Sequence, residues 1–372
     1  MTRGTQLEIR PAALIHNAER AAQLAGDAAV YAMIKANGYG HGLTLVAHTL
    51  RDYVGGFGVA VIEEAVALRE SGIESPLMLL EGCFDEGEWR LAQQLNLEVV
   101  VHNIEQINTL AAAHLTDSVA VWLKVDTGMH RLGVPAEQVP TLVQQLSSRS
   151  EIQLIGLMTH FACADMADDH TSENQLRTLR SLAEQFALPY SAANSAALFQ
   201  YSENAFTGRL PESSQGARVR PGIMLYGASP VEGQSSAALD LQVTQQFSAR
   251  LIAVNCVQAG EAVGYGATWL ASRDSRIGIV AVGYGDGYPR HASNGAPVAV
   301  AGMRTRTVGR VSMDMIAIDL TEIVDAKVGD RVELWGDLVS IDEVAAFCGT
   351  ISYELFCQVT ARVHRVITHG KA

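Results

Sequence analysis

Between residues 28 and 227 the chain alternates short apolar runs with segments whose apolar positions recur every three or four residues. That alternation is the mark of parallel strands joined by covering helices. Eight runs read as strands: Ala28–Ile34, Gly55–Ile62, Pro76–Glu81, Leu97–His102, Val119–Val125, Gln153–Thr159, Tyr190–Ala193 and Arg218–Leu225. Eight is the number that closes a (β/α)8 TIM-like barrel, so the expected class is α/β. Leu176, Leu179, Ala183 and Phe186 mark one face of a helix starting behind Asp168-Asp169, and alanine-rich Ala12–Leu24 reads as a helix ahead of the first strand.

The texture changes at Ala228–Ser236, a turn-rich stretch without apolar periodicity. Residues 1–235 are therefore assigned to the barrel and residues 236–372 to a mostly β C-terminal domain. Its expected strands are Phe247–Val254, Ile277–Val282, Val298–Ala301, Met315–Leu320 and Val332–Trp335, with short helices around Asp342–Phe347 and Tyr353–Val359.

Composition narrows the class without changing the outline. With 372 residues, 48% hydrophobic, the chain can bury cores for about two domains. A net charge of -13 argues against a surface that neutralises phosphates, so no nucleic-acid partner is expected. No apolar stretch of signal-peptide length stands near residue 1, and none approaches the ~20 residues needed to span a bilayer. A cytoplasmic enzyme with no membrane partner is expected. The five cysteines, Cys83, Cys163, Cys256, Cys348 and Cys357, include no C-x-x-C pair, which points to reduced thiols. No metal site is expected, and acidic Asp165–His170 reads as a helix start.

The candidate chemistry gathers at the C-terminal ends of the barrel strands, where catalytic groups of such barrels sit. Lys35 closes the run Ala-Val-Tyr-Ala-Met-Ile and opens a polar turn, the place for a Schiff-base lysine. Its amine, ordinarily titrating near ~10.4, needs desolvation or neighbouring cations to act as a nucleophile. Lys124 and Arg131 follow the fifth strand, His160 the sixth, Asn194 and Ser195 the seventh, and Arg220 lies in the eighth.

The segment Ala-Met-Ile-Lys35-Ala-Asn-Gly-Tyr39-Gly-His-Gly resembles the cofactor-lysine motif of alanine racemases. Further blocks resembling that family follow in order: Lys124-Val-Asp-Thr-Gly-Met-His-Arg131-Leu-Gly, Arg220-Pro-Gly-Ile-Met-Leu-Tyr-Gly227, Val263-Gly-Tyr265-Gly-Ala-Thr-Trp, Gly283-Tyr284-Gly-Asp-Gly-Tyr-Pro-Arg290, Gly309-Arg-Val-Ser-Met313-Asp314-Met and Ser352-Tyr353-Glu. They span nearly the whole chain.

The resemblance implies pyridoxal 5'-phosphate bound to Lys35, alanine as substrate and a homodimer whose sites take residues from both chains. It makes Lys35 the base for D-alanine and Tyr265, from the partner subunit, the base for L-alanine. Two bases are needed because the α-proton leaves one face and returns on the other. Tyr265, a phenol with an ordinary pKa of ~10, needs positive neighbours, and His160 and Arg220 match the positions that supply them. Arg220 matches the partner of the pyridine nitrogen; a guanidinium only donates, so that nitrogen stays unprotonated, which disfavours transamination.

Tyr39, Ser195, the backbone of Gly222 and Ile223, and Tyr353 match phosphate anchors. Arg131 and the Met313 N–H, the latter contributed by the other chain, match substrate-carboxylate contacts, with Lys124, Asn194, Tyr284 and Asp314 in support. Lys124 matches a position carbamylated in many relatives. Gly38 and Ser312 stand where many have alanine and cysteine, a difference expected to alter packing alone. The alternatives are a serine or broad-specificity racemase on this scaffold, a non-catalytic carrier of the cofactor, and a barrel that binds phosphorylated sugars.

Overall fold

A computed structural model describes residues 3–166, 170–201 and 217–368. In chain order the strands are β1 (Gln6–Ile9), β2 (Ala29–Met33), β3 (Gly56–Val59), β4 (Leu77–Leu79), β5 (Leu97–Val101), β6 (Val119–Asp126), β7 (Val134–Pro135), β8 (Ile152–Met158), β9 (Tyr190–Ser191) and β10 (Arg218–Val219). Nine more follow: β11 (Gln245–Val257), β12 (Ala262–Val263), β13 (Trp269–Leu270), β14 (Ser275–Val280), β15 (Pro297–Val300), β16 (Met303–Val308), β17 (Ile316–Asp319), β18 (Arg331–Trp335) and β19 (His364–Ile367). The chain divides into two units, one running from Leu14 to Gln242 and the other joining the segment that ends at Ala13 to Val243 onward.

In the first unit β2, β3, β4, β5, β6, β8, β9 and β10 pair in parallel and in that order. β10 returns to β2, so the eight strands close on themselves. This is the expected (β/α)8 barrel. Its apolar runs are buried on both faces, which is why they read as continuous rather than alternating.

Glycines let large side chains fill the interior. A Cβ on Gly56 of β3 would lie 2.7 Å from the Tyr31 ring, one on Gly58 2.1 Å from Met33, and one on Gly156 of β8 2.3 Å from the Trp122 ring. Tyr31 and Trp122 also hold a part-buried ion pair between them. Arg218 meets Glu98 at 2.8 Å, its guanidinium lies 4.7 and 4.8 Å from the two ring centroids, and Tyr31 Oη and Trp122 Nε1 both donate to Glu98. Both oxygens of this part-buried carboxylate therefore meet donors.

The eighth strand is shorter than the expected Arg218–Leu225. Pro221 lacks an N–H for the ladder, and the chain then turns into a 3-10 segment, Ile223–Tyr226. The helix expected behind Asp168-Asp169 spans Thr171–Phe186; those two aspartates lie outside the described residues.

In the second unit β11, β14, β17, β16, β15 and β18 form a closed antiparallel ring in which the long β11 pairs at both ends. β1 and β19 extend it: β1 runs antiparallel to β11, with Leu7 opposite Phe247, and parallel to β19. The N-terminal strand thus belongs to the β unit, not to the barrel that the 1–235 assignment gave it. Leu7 and Ile9 are fully buried there, so the short alternating run finds its apolar partner more than 230 residues away. Among the described residues no helix is long and apolar enough to cross a membrane, and no cluster of His, Cys, Asp and Glu is placed to hold a metal ion.

Candidate active site

Lys35 follows the end of β2, where the backbone leaves ordinary territory. Ala36, Asn37, Gly38, Tyr39 and Gly40 all have φ between +49° and +77°, a left-handed turn directly after the lysine. For residues with a Cβ that conformation costs about 1–2 kcal/mol each. The turn is held by Gly38 N–H to Ile34 O (2.7 Å), Gly40 N–H to Ala36 O (3.1 Å) and Leu43 N–H to Asn37 Oδ1 (2.9 Å). Its effect is to bring Tyr39 back under the rim, stacked on Tyr226 at 4.5 Å, while the Tyr226 hydroxyl donates to Met33 O.

Tyr39, Ser195 and Gly222 converge. A Cβ on Gly222 would lie 2.5 Å from Tyr39 Oη, so only glycine leaves room for that hydroxyl. Ser195 Oγ accepts the N–H groups of Gly222 (2.8 Å) and Met224 (3.3 Å). Ser195 opens one short helix, capped by the Asn194 side chain on Ala197 N–H, and Ile223 opens the 3-10 segment. Two helical N-termini with hydroxyls between them suit an anion. Because Gly222 N–H already reaches Ser195, an anion drawing on it must share it with that hydroxyl.

Beside this cradle stands a group of cations. Arg220 is 5% exposed, and no carboxylate pairs with it among the described residues. Its guanidinium donates to Ser191 Oγ, to Thr159 O (2.6 Å) and to Ala192 O (3.3 Å). Burial lowers it to about 10, so it keeps its charge at neutral pH. Burial, then the charges of Arg220, Arg131 and Lys35, lower Lys124 to about 8 against the pull of Glu81.

Burial first, then Arg220, Lys124, Arg131 and Lys35, lower His160 to about 3. This corrects one expectation. His160 is neutral and supplies no positive charge to its surroundings. It follows β8 and is steadied by buried Gln175, whose amide bonds His160 O (3.0 Å), Ala162 N–H (3.0 Å) and Thr127 Oγ1 (3.3 Å). Arg131 is exposed in the loop after β6. Asp126 shapes that loop by accepting Gly128 N–H and His130 N–H, each at 3.0 Å.

The remaining candidates lie in the β unit. Tyr284 N–H donates to Ser312 O (3.1 Å) and Gly285 N–H to Met313 O (2.9 Å), which clasps the Tyr284 and Met313 loops together. Buried Asp286 anchors the clasp: it binds Arg3 through both oxygens (2.8 and 2.9 Å), Arg362 Nε (2.9 Å) and Gly283 N–H (2.9 Å). Arg362 also reaches Asp314 at 2.7 Å. Tyr265 sits on a separate turn packed against Gly309 and Arg310, with 71% of its surface exposed. Tyr353 lies 39% exposed on the helix Ser352–Gln358.

Sequence reasoning missed Asp286, Gln175 and Glu64. Asp286 was within reach, inside a block already singled out. Gln175 and Glu64 act on backbone groups that only the fold brings to them.

Comparison with known proteins decides the lineage. Residues 9–230 match the family described as "Alanine racemase, N-terminal domain" and residues 244–367 its C-terminal domain. The chain belongs to the alanine racemase family. It is 57% identical over 365 residues to the alanine racemase of Alcanivorax borkumensis, covering 98% of this chain and 99% of that one. The crystal structure of the biosynthetic alanine racemase of Pseudomonas aeruginosa superposes with a TM-score of 0.92 at 42% identity, covering 99% of this chain and all of that one. A Bartonella henselae alanine racemase described with covalently bound pyridoxal phosphate gives 0.85 at 27% identity, covering 98% and 99% of the two chains. Family membership accounts for a barrel unit and a β unit that each carry part of the predicted set.

Proposed function

We propose that the chain is a pyridoxal 5'-phosphate-dependent alanine racemase, interconverting L-alanine and D-alanine and supplying the D-isomer for peptidoglycan. The observation that carries the reading is the environment of Arg220: a buried guanidinium with no carboxylate partner among the described residues, beside an anion cradle, in the barrel whose rim bears Lys35. A concentration of positive charge with so little to oppose it favours a ligand that is anionic and rich in acceptors. Pyridoxal phosphate fits on both counts.

Lys35 would hold the cofactor covalently. Ser195, Tyr39, Gly222 and Ile223 would meet the phosphate, joined by Tyr353, and Arg220 would donate to the ring nitrogen. When bound, the cofactor supplies an electron sink that acidifies the α-C–H bond of an attached amino acid. The freed Lys35 amine accepts or returns the proton on one face, and the partner subunit's Tyr265 does so on the other. Arg220 can only donate, so the atom it meets must remain an acceptor. Neutral His160 can exchange a hydrogen bond but adds no charge. Arg131 and the N–H of the partner subunit's Met313 would hold the substrate carboxylate. Lys124, lowered to about 8 and so half unprotonated at that pH, would take up carbon dioxide: its nitrogen bonds the carbon, a proton leaves, and the carboxylate formed offsets the surrounding cations.

Lys35→Ala is expected to lose covalent cofactor attachment and racemisation in both directions. Tyr265→Phe is expected to keep the cofactor and lose turnover by about 10²–10⁴-fold. Following D-alanine formation beside cofactor absorbance reads both. Robust racemisation by Lys35→Ala would overturn the proposal, as would a preference for L-serine over L-alanine.

A further inference from the structure

We infer that Glu64 is a positioning residue for Lys35, a role that rests on the proton transfer proposed above. The Glu64 carboxylate accepts Ala36 N–H at 2.7 Å through one oxygen and Ala60 N–H at 2.9 Å through the other. Ala36 is the residue after Lys35, and Ala60 is the residue after β3. One side chain thereby ties the exit of the lysine's strand to the exit of its neighbour.

The bond to Ala36 matters because of the peptide it holds. That N–H belongs to the unit whose carbonyl is Lys35's own, so anchoring it fixes the peptide plane on the C-terminal side of the lysine. The next five residues are all left-handed, with Ala36 at φ 52° and Asn37 at φ 56° lacking the freedom of glycine. Ile34 N–H reaches Gly58 O of β3 (2.9 Å) ahead of the lysine, whereas the bonds from Gly40 to Ala36 and from Gly42 to Asn37, on its far side, run within the turn. Glu64 ties that far side to the exit of β3. Half-buried in the first turn of the helix Ile62–Glu70, it is favoured there by the positive end of the helix, whereas its neighbour Glu63 is exposed and makes no such bond among those described.

Without the carboxylate, the Lys35–Ala36 peptide regains rotational freedom and the lysine amine samples a wider volume. Proton transfer is sensitive to placement: an error of about 1 Å can cost about a hundredfold in rate. The step made by Lys35 should slow, while the step made by Tyr265 should not.

Glu64→Gln tests this with little change in volume, since an amide offers one acceptor oxygen and leaves the second N–H facing a donor. Glu64→Ala removes both acceptors. Amide hydrogen exchange should accelerate about tenfold or more at both Ala36 and Ala60 in the alanine variant, and in the glutamine variant at the N–H that faces the new amide NH2. Turnover should fall about tenfold in the glutamine variant and about a hundredfold in the alanine variant. The deuterium isotope effect with α-deuterated D-alanine should rise, and that with α-deuterated L-alanine should fall, because the lysine step becomes the slower of the two.

Faster exchange with unchanged isotope effects would overturn the inference and leave Glu64 a structural brace. So would unchanged exchange at Ala36 in the alanine variant, or at both Ala36 and Ala60 in the glutamine variant. If Glu64→Ala does not fold, the glutamine variant decides. Should the unaltered protein fail to racemise alanine, the functional reading falls, and the exchange measurement still reports whether Glu64 holds the Lys35–Ala36 peptide.

Discussion

Three basic groups at the barrel rim respond differently to burial, to which neighbouring charge adds for Lys124 and His160. Arg220, lowered to about 10, remains a cation; Lys124, lowered to about 8, is divided between forms in mild alkali; His160, lowered to about 3, is neutral. The order follows intrinsic basicity, because burial is the first cause in each case and the group with least affinity for the proton yields it. This gives His160 a measurable signature. An exposed histidine in the unfolded chain takes a proton near pH ~6.5, while the folded one resists until about 3. Between those values the unfolded state binds the extra proton, so stability is lost as pH falls through the window, at up to about 1.4 kcal/mol per pH unit. Denaturant unfolding at pH 6.5 and 5 should show a smaller loss in His160→Gln than in the unaltered protein. An identical loss would mean that His160 takes up its proton in the folded state as readily as in the unfolded one.

At the scale of elements, the barrel depends on matched large and absent side chains across neighbouring strands. Gly156 on β8 and Trp122 on β6 are such a pair, since an added Cβ would lie 2.3 Å from the indole and 2.7 Å from Pro189 O. Gly156→Ala is therefore expected to destabilise the unit by about 1–3 kcal/mol, seen as a lower midpoint in denaturant. Trp122→Leu alone opens a void; in the double variant the two costs should sum to less than their separate values. Full additivity would show that the clash is relieved elsewhere. The eight strands were legible because each is a short apolar run bounded by turn residues. β16 was not: Met303-Arg-Thr-Arg-Thr-Val308 carries charge on its exposed positions and apolar burial only at its end. β1 was not read as a strand, and its residues fell within the 1–235 range, because its partner strands lie at the far end of the chain. The candidate site divides in the same way. Lys35 and Arg220 are marked by basic side chains in glycine-containing segments, whereas the left-handed turn also falls on Ala36 and Tyr39, whose types do not announce positive φ.

For the whole molecule, the informative fact is that the two proposed bases belong to different units. Lys35 stands on the barrel and Tyr265 on the β unit. Tyr265, Leu270, Met313 and Met315 are all large apolar side chains at least 44% exposed, on the turns and short strands of the β unit. A second copy of the chain would cover such surface and, in a two-fold dimer, would give two equivalent composite sites. Complementation tests whether they are shared. Lys35→Ala and Tyr265→Phe are each expected to be inactive alone. In a mixed dimer one site inherits both lesions, while the other pairs the intact Lys35 of one subunit with the intact Tyr265 of its mate. Random mixing in equal amounts makes about half the dimers mixed, each with one working site, so activity should return to about a quarter of the unaltered level. Dimers purified through a different tag on each subunit should reach about half. If those tagged mixed dimers stay inactive, Lys35 and Tyr265 act within a single chain, and the proposed sharing of sites between subunits is wrong.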